Sequence, residues 1–186
     1  GAAQVPVNEP IPTVDDVIQQ LAARRADALV TLSMLREQRV KVEADAARLE
    51  NPGLVFEYLD FFITAVDEVV AVIDRMSEEL RERVQRAHID LLRQIASNCR
   101  VEQRRCLVFR DRCINRPLPH EQMRPLLNDI SVTTRDQLTA FYDLNSAAAR
   151  LEQIINTLQP EPEPDPKRTL GRRALFTRLF KLPKDE

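Results

Sequence analysis

Apolar residues in alternating steps of three and four run through three long stretches of this sequence. The stretches cover residues 14–49, 59–80 and 127–158. Since this spacing keeps the side chains on one side of an α-helix, each stretch predicts a long helix with one buried face. Arg25 and Arg39 stand at two positions of the first stripe. We expect them either to extend to solvent or to pair with carboxylates of a facing helix.

Glycine is nearly missing from the middle of the chain. The three glycines stand at positions 1, 53 and 171. Because glycine builds tight turns, bulges and phosphate-binding loops, this deficit disfavours both β-structure and nucleotide-binding loops. The sequence therefore predicts an all-α fold, and no cofactor is expected.

Capping residues and proline-containing breaks set the helix boundaries. Thr13 is suited to cap the first helix, and Asn-Pro-Gly at 51–53 is suited to end it and reverse the chain. The resulting domain at residues 13–159 is expected to be an elongated antiparallel bundle or coiled-coil-like arrangement. Its three long helices are predicted at residues 13–50, 54–115 and 120–159.

Both ends of the chain differ in composition from the helical domain. Residues 1–12 are rich in proline and are expected to form an extended arm. Residues 160–166 read PEPEPDP, which predicts a stiff acidic spacer. Residues 167–186 form a basic tail, which we expect to act as an amphipathic docking peptide.

As a helix, this tail places apolar side chains on one side with positive charges around them. Such a peptide docks in a protein groove, packs onto its own complex or lies on an anionic membrane. The segment RALF at 173–176 resembles the Arg-x-Leu-Phe peptide by which cell-cycle proteins dock on cyclins. This resemblance covers four residues and implies a cyclin-like or kinase partner. The predicted partner-binding residues of the tail are Arg172, Arg173, Leu175, Phe176, Arg178, Leu179 and Phe180.

A band at residues 55–73 is apolar on nearly every side. A helix of this kind is buried by something, and one slender partner helix does not cover it. We therefore expect other protein chains to cover this band and a second apolar stretch around Phe109. The predicted partner-binding residues of the domain are Phe56, Phe61, Phe62, Val69, Val72 and Phe109.

Cys99, Cys106 and Cys113 are spaced by seven residues and line one side of a helix. Their spacing, about 10 Å along a helix, is too wide for disulfides among them. They lack the neighbouring ligands that zinc requires. They are expected to pack as small apolar residues, with an intermolecular disulfide as the alternative. An odd cysteine count favours a reducing compartment, either an organelle matrix such as that of mitochondria or the cytosol.

The sequence shows no recognisable cluster of catalytic or metal-binding residues. His88 and His120 have no nucleophile or metal ligand at helical spacing, so neither catalysis nor a metal site is expected. An arginine-rich segment projects its charges in several directions, and a surface for an acidic protein neighbour, or plain solubility, explains it better than nucleic-acid binding. Its arginines are Arg100, Arg104, Arg105, Arg110, Arg112 and Arg116.

These patterns predict a non-enzymatic helical scaffold subunit that bridges neighbours in a larger multi-protein assembly, with a mitochondrial complex as one setting. The alternative is a cytosolic regulatory adaptor that recruits a partner through the basic tail. A third reading is peripheral membrane attachment through the tail, since no segment is apolar for long enough to cross a bilayer. A small-molecule substrate is not expected.

Overall fold

The computed structural model describes residues 10–115 and 120–158, and all regular structure in them is helical. Helix α1 spans Val14–Asp45 and continues into a short 3-10 helix at Ala46–Arg48. Helices α2, α3 and α4 span Pro52–Glu82, Arg86–Asn115 and His120–Leu158. No strand occurs within these residues, which confirms the predicted all-α class.

The predicted spacer and tail, at residues 160–166 and 167–186, lie outside the described residues, as does most of the arm at 1–12. None of the helices in the described part is both long enough and apolar enough to cross a membrane.

Local hydrogen bonds explain where the first two helices begin. The Thr13 hydroxyl accepts the backbone N–H of Asp16 at 3.2 Å, and the Asp16 carboxylate accepts the N–H of Thr13 at 2.9 Å. These bonds, first of all the one from the Thr13 backbone, lower the pKa of Asp16. Asn51 accepts the N–H of Leu54 at 3.2 Å and so caps α2. Thr13 is therefore the N-cap of α1, as predicted, and the chain reverses direction at the predicted break at 51–53.

The predicted single helix at 54–115 is wrong, because the chain leaves helical geometry after Glu82. Arg83 is extended, with φ of −161° and ψ of 135°. His88 stabilises the turn. Its Nδ1 accepts the N–H of Gln85 at 3.0 Å, and its Nε2 donates to the Glu79 carboxylate at 2.9 Å. The imidazole thus supplies the acceptor that the Gln85 amide loses when the helix ends.

This break adds a fourth helix, and two apolar clusters show how the helices run. The first apolar cluster joins the beginning of α1, the end of α2, the beginning of α3 and the end of α4, and includes Leu21, Ile73, Leu92 and Leu144. The second apolar cluster joins the opposite ends and includes Leu35, Phe62, Phe109 and Ile130. Successive helices are therefore antiparallel, and four helices pack against each other instead of three.

The predicted stripes match the buried faces to different degrees. Every residue of the predicted α2 stripe is buried, namely Leu59, Phe62, Val66, Val69, Ile73, Met76 and Leu80. Arg25 and Arg39 pair with Asp74 and Asp60 of α2 at 2.5 and 2.7 Å, as expected for a facing helix. At the beginning of α3, Ile89 and Leu92 are buried and Ala87 is exposed, so the new helix start after the turn sets the buried face of this helix.

Candidate functional site: an aromatic groove and a buried polar layer

Four of the predicted partner-binding residues lie in the chain's own core. Phe62, Val69, Val72 and Phe109 are at most 8% exposed. The chain covers most of the apolar band at 55–73 itself, because four helices surround a wider core than the expected three. The predicted role of these residues in partner binding stays a prediction, and in this conformation their side chains are largely inaccessible to another molecule.

Two further predicted residues, Phe56 and Phe61, are half-buried. The guanidinium of Arg39 lies 5.2 Å from the Phe56 ring centre, and that of Arg105 lies 4.8 Å from the Phe61 ring centre. These contacts leave part of each ring open to solvent. The seven predicted tail residues, Arg172, Arg173, Leu175, Phe176, Arg178, Leu179 and Phe180, lie outside the described residues.

Phe61 belongs to an open groove between the first half of α2 and the second half of α3, with a volume of about 470 Å³. We call it the α2–α3 groove. Its α2 side consists of Leu54, Glu57, Tyr58, Phe61 and Phe62. Its α3 side consists of Val101, Arg104, Arg105, Val108, Phe109 and Arg112. The groove therefore combines an aromatic floor with a charged rim.

The floor of the groove is fixed by ring contacts. Tyr58 stacks on Phe109 with 4.3 Å between ring centres and 12° between planes, and Phe62 lies 4.8 Å from Tyr58. The Tyr58 hydroxyl contacts the Thr133 hydroxyl of α4 at 3.5 Å. Burial raises the pKa of Tyr58, so this hydroxyl stays neutral. Since three helices hold the floor in place, the groove is preformed.

The rim of the groove carries an excess of positive charge and exposed apolar surface. The lining holds one carboxylate, that of Glu57, against Arg104, Arg105 and Arg112. Arg105 also interacts electrostatically with Glu102 of α3. Within residues 10–115 and 120–158, no carboxylate oxygen lies within ion-pair distance of these three arginines.

Two valines complete the α3 wall of the groove. Val101 and Val108 are 48% and 53% exposed. They are separated by seven residues, which places them on the same side of α3. Because they adjoin the arginine rim, apolar contact and positive charge are available to one ligand at the same time.

A second feature, the polar layer, separates the two apolar clusters. It consists of Arg24 of α1, Glu102 and Gln103 of α3, and Asp136 and Gln137 of α4. On each of these helices the polar residues lie between a residue of the first apolar cluster and one of the second. The layer interrupts the core on three of the four helices.

Arg24 is the most deeply buried charge of this layer, with 1% exposure. Its guanidinium bonds to Asp136 and reaches Asp143 at 3.4 Å, while its Nε has no hydrogen-bond partner among the described residues. Desolvation raises the pKa of Asp136, and the Arg24 charge opposes this effect. Burial of Arg24 was not predicted, because the neighbouring Arg25 fits the apolar stripe of α1.

Glu102 is the second ionisable group of the layer. It accepts a hydrogen bond from Gln137 at 2.9 Å. Desolvation, followed by repulsion from Glu68, raises the pKa of Glu102 to about 7, although Arg105 acts in the opposite direction. A carboxyl group of this kind holds a proton more tightly in the folded chain than in the unfolded chain.

The three cysteines lie on the buried face of α3. Cys99 and Cys106 are 0% exposed and Cys113 is 3% exposed, which confirms their predicted packing as small apolar residues. Burial raises the pKa of Cys99 to about 12 and that of Cys113 to about 11, so neither is an activated thiolate. The described residues contain no group of three His, Cys, Asp or Glu side chains that could hold a metal ion.

Comparison of this chain with known protein families, with curated proteins and with solved structures finds no match. The two features are therefore interpreted from their own geometry. The polar layer is closed to large ligands by the surrounding helices, whereas the α2–α3 groove is open. The groove is the candidate site for another molecule.

Proposed function

We propose that this protein is a non-enzymatic helical scaffold subunit that binds neighbouring proteins of a larger multi-protein assembly. The α2–α3 groove is the observation that carries this proposal. It combines a preformed aromatic floor, two exposed valines and a charged rim. Contiguous exposed apolar surface beside polar residues is typical of protein interaction sites.

The chemistry of the groove supports binding rather than catalysis. Its lining offers aromatic rings, aliphatic side chains, arginines and one glutamate, and contains no thiol or imidazole. Its one hydroxyl, that of Tyr58, is buried against the Thr133 hydroxyl and stays neutral, so it is not an activated nucleophile. His88 lies elsewhere and uses both ring nitrogens in the α2–α3 turn. We propose on this basis that the groove holds a protein segment and performs no reaction.

Site-specific photo-crosslinking in the native source tests the proposal. A photoreactive amino acid placed at Val108 is expected to crosslink to one or a few defined proteins. The matched control is the same amino acid at Val30, an exposed valine of α1 at 62% exposure that is not part of the groove lining. Crosslinks from Val108 that are absent, or that equal those from Val30 in number and identity, would contradict the proposed role of the groove.

A second arm separates this role from the adaptor alternative. Deletion of residues 167–186 removes the basic tail and leaves every groove residue in place. A groove-based scaffold keeps its Val108 crosslinks after this deletion. Loss of the crosslinks on tail removal would instead favour an adaptor that recruits its partner through the tail.

A further inference from the structure

We infer that the α2–α3 groove binds an acidic amphipathic helix of a partner protein. The apolar face of this helix contacts Phe61, Val101 and Val108, and its carboxylates pair with the arginine rim. The inference rests on the scaffold role proposed above and names the chemistry of the partner.

The length of the groove fits a short helix. On α3 the lining runs from Val101 to Arg112, which corresponds to about 16 Å at roughly 1.5 Å per residue. A partner helix of about three turns spans this distance, since one turn rises about 5.4 Å. The exposed valines are spaced by seven residues and match apolar side chains at positions i, i+3 or i+4, and i+7 of the partner.

The rim determines the charge of the partner. Arg104, Arg105 and Arg112 have no ion-pair partner in the part of the chain that the structure describes. When a ligand covers them, they lose water and need carboxylates close by to compensate. Asp or Glu side chains at the edges of the apolar face supply these carboxylates.

The chain's own tail does not meet this requirement. From position 167 to position 184 it carries seven Lys and Arg residues and no Asp or Glu. This charge has the same sign as the rim, so the sequence of the tail lacks the carboxylates that the rim requires. We therefore assign the groove to an acidic segment of a partner protein.

Nucleic acid fits the groove less well than an acidic peptide. Bases bind to proteins by stacking on exposed aromatic faces. Tyr58, Phe62 and Phe109 are at most 8% exposed, and Tyr58 and Phe109 already stack on each other. The half-buried ring of Phe61 is already covered by the Arg105 guanidinium. The exposed apolar part of the α3 wall is formed by Val101 and Val108, which favour an apolar side chain over a base or a sugar.

Fluorescence anisotropy with the full chain tests the inference. The probe is a labelled 15-residue helical peptide, of about four turns, with Leu at i, i+4, i+7 and i+11 and Glu beside them. The two comparison probes are the same peptide with Lys in place of Glu and a single-stranded RNA of equal length. We expect the Glu peptide to bind at least tenfold more tightly than the Lys peptide or the RNA. Its affinity should fall as salt rises, because charged pairs contribute.

Charge-reversed variants locate the binding. The double variant Arg104→Glu with Arg112→Glu should bind the Glu peptide at least tenfold more weakly than the parent chain does, and it should bind the Lys peptide more tightly. The control variant reverses two exposed arginines of α2 outside the groove, Arg75→Glu with Arg81→Glu, and should change both affinities less than twofold. Unfolding curves of both variants show whether the fold is kept.

Each contrary result has a defined meaning. Equal binding of the two peptides, tighter RNA binding, or an effect of the control variant as large as that of the rim variant overturns the acidic-helix inference. No peptide binding, together with Val108 crosslinks in the native source, overturns it while leaving the scaffold proposal standing. Val108 crosslinks to a second copy of this chain assign the groove to self-association and overturn it as well.

Discussion

Arg24 and Arg25 are neighbours in sequence but lie in opposite environments. Arg24 is buried against Asp136, whereas Arg25 forms an exposed pair with Asp74. Breaking a buried ion pair leaves an uncompensated buried charge and costs about 3–5 kcal/mol. An exposed pair contributes about 0–1 kcal/mol. The two adjacent arginines are therefore expected to contribute very differently to the free energy of unfolding.

This contrast gives the first prediction. Arg24→Met should lower the free energy of unfolding by about 3 kcal/mol, because Asp136 loses its counter-charge. Arg25→Met is the matched control and should cost less than about 1 kcal/mol. The double change Arg24→Met with Asp136→Leu should regain most of the loss. Urea unfolding checks all three variants, and equal costs for the two single changes would contradict the assignment of the buried charge.

Glu102 makes stability depend on pH. Its pKa is about 7 in the folded chain against an ordinary value of 4.5. The folded chain therefore holds this proton more tightly than the unfolded chain, and Glu102 contributes stability that is fully present below about pH 4.5. This contribution is lost as the pH rises towards 7.

The second prediction follows from this sign. Glu102→Gln removes the titrating group and keeps a polar side chain next to Gln137. The unfolding free energy of the variant minus that of the parent should be about 1–2 kcal/mol larger at pH 8 than at pH 5. This range is smaller than the full pKa shift of Glu102 would give, because the carboxyl group is partly accessible to solvent. Urea unfolding at the two pH values measures the difference. A stability difference between variant and parent that is independent of pH contradicts the raised pKa.

At the scale of the elements, the turn between α2 and α3 depends on one imidazole. His88→Ala removes the acceptor of the Gln85 N–H and the donor to Glu79. The third prediction is a loss of about 1–2 kcal/mol of unfolding free energy, since the part-buried hydrogen bond of the Gln85 amide and the bond to Glu79 are both lost. Glu82→Ala, at an exposed position beside the turn, serves as the control, and its expected loss of unfolding free energy is about 0.5 kcal/mol or less. Thermal and urea unfolding report both, and a loss no larger than that of the control would show that the imidazole does not hold the turn.

The sequence predicted the elements where local chemistry decides them. The Thr13 capping box and the Asn-Pro-Gly break at 51–53 act within a few residues, and both lie where the structure ends or begins a helix. The α2 stripe was predicted because its residues face the core continuously. The turn at 83–85 contains neither glycine nor proline, and its stabilising side chain comes from the next helix. A sequence pattern alone does not show such a contact.

The buried face of α1 shows why Arg24 was missed. A stripe with two positions per seven residues is the pattern for a helix with one partner. The structure buries a further column at Val17, Arg24, Thr31 and Gln38, each seven residues from the next. This column contains three polar residues, so hydrophobicity does not reveal it. Its burial follows from packing against a fourth helix, where a wider face is covered.

At the scale of the whole molecule, the same additional helix changes the case for partner binding. Other chains were expected to cover the band at 55–73, but most of it is covered within one chain. Part of what remains open lines the α2–α3 groove. The predicted residue Phe61 lines it, together with Val108, which lies in the second predicted apolar stretch around Phe109, and Val101, which was not predicted. An arginine-flanked pair of valines seven residues apart was the signal available in the sequence.

The fourth prediction separates folding from binding. Phe62→Ala empties part of the second apolar cluster and should cost about 3–5 kcal/mol of unfolding free energy. Val108→Asp lies on the open side of the groove and should change the unfolding free energy by about 0.5 kcal/mol or less. The core is thus expected to need Phe62, and the groove is expected to be dispensable for folding.

The most direct test of the account measures one variant in two ways. Val108→Asp is compared with Val30→Asp by urea unfolding and by co-purification of crosslinked partner proteins from the native source. Both variants are expected to keep the parent's stability, and Val108→Asp alone is expected to lose the partner proteins. If Val108→Asp unfolds the chain, or if it retains every partner that Val30→Asp retains, the α2–α3 groove is not the surface by which this protein binds its neighbours.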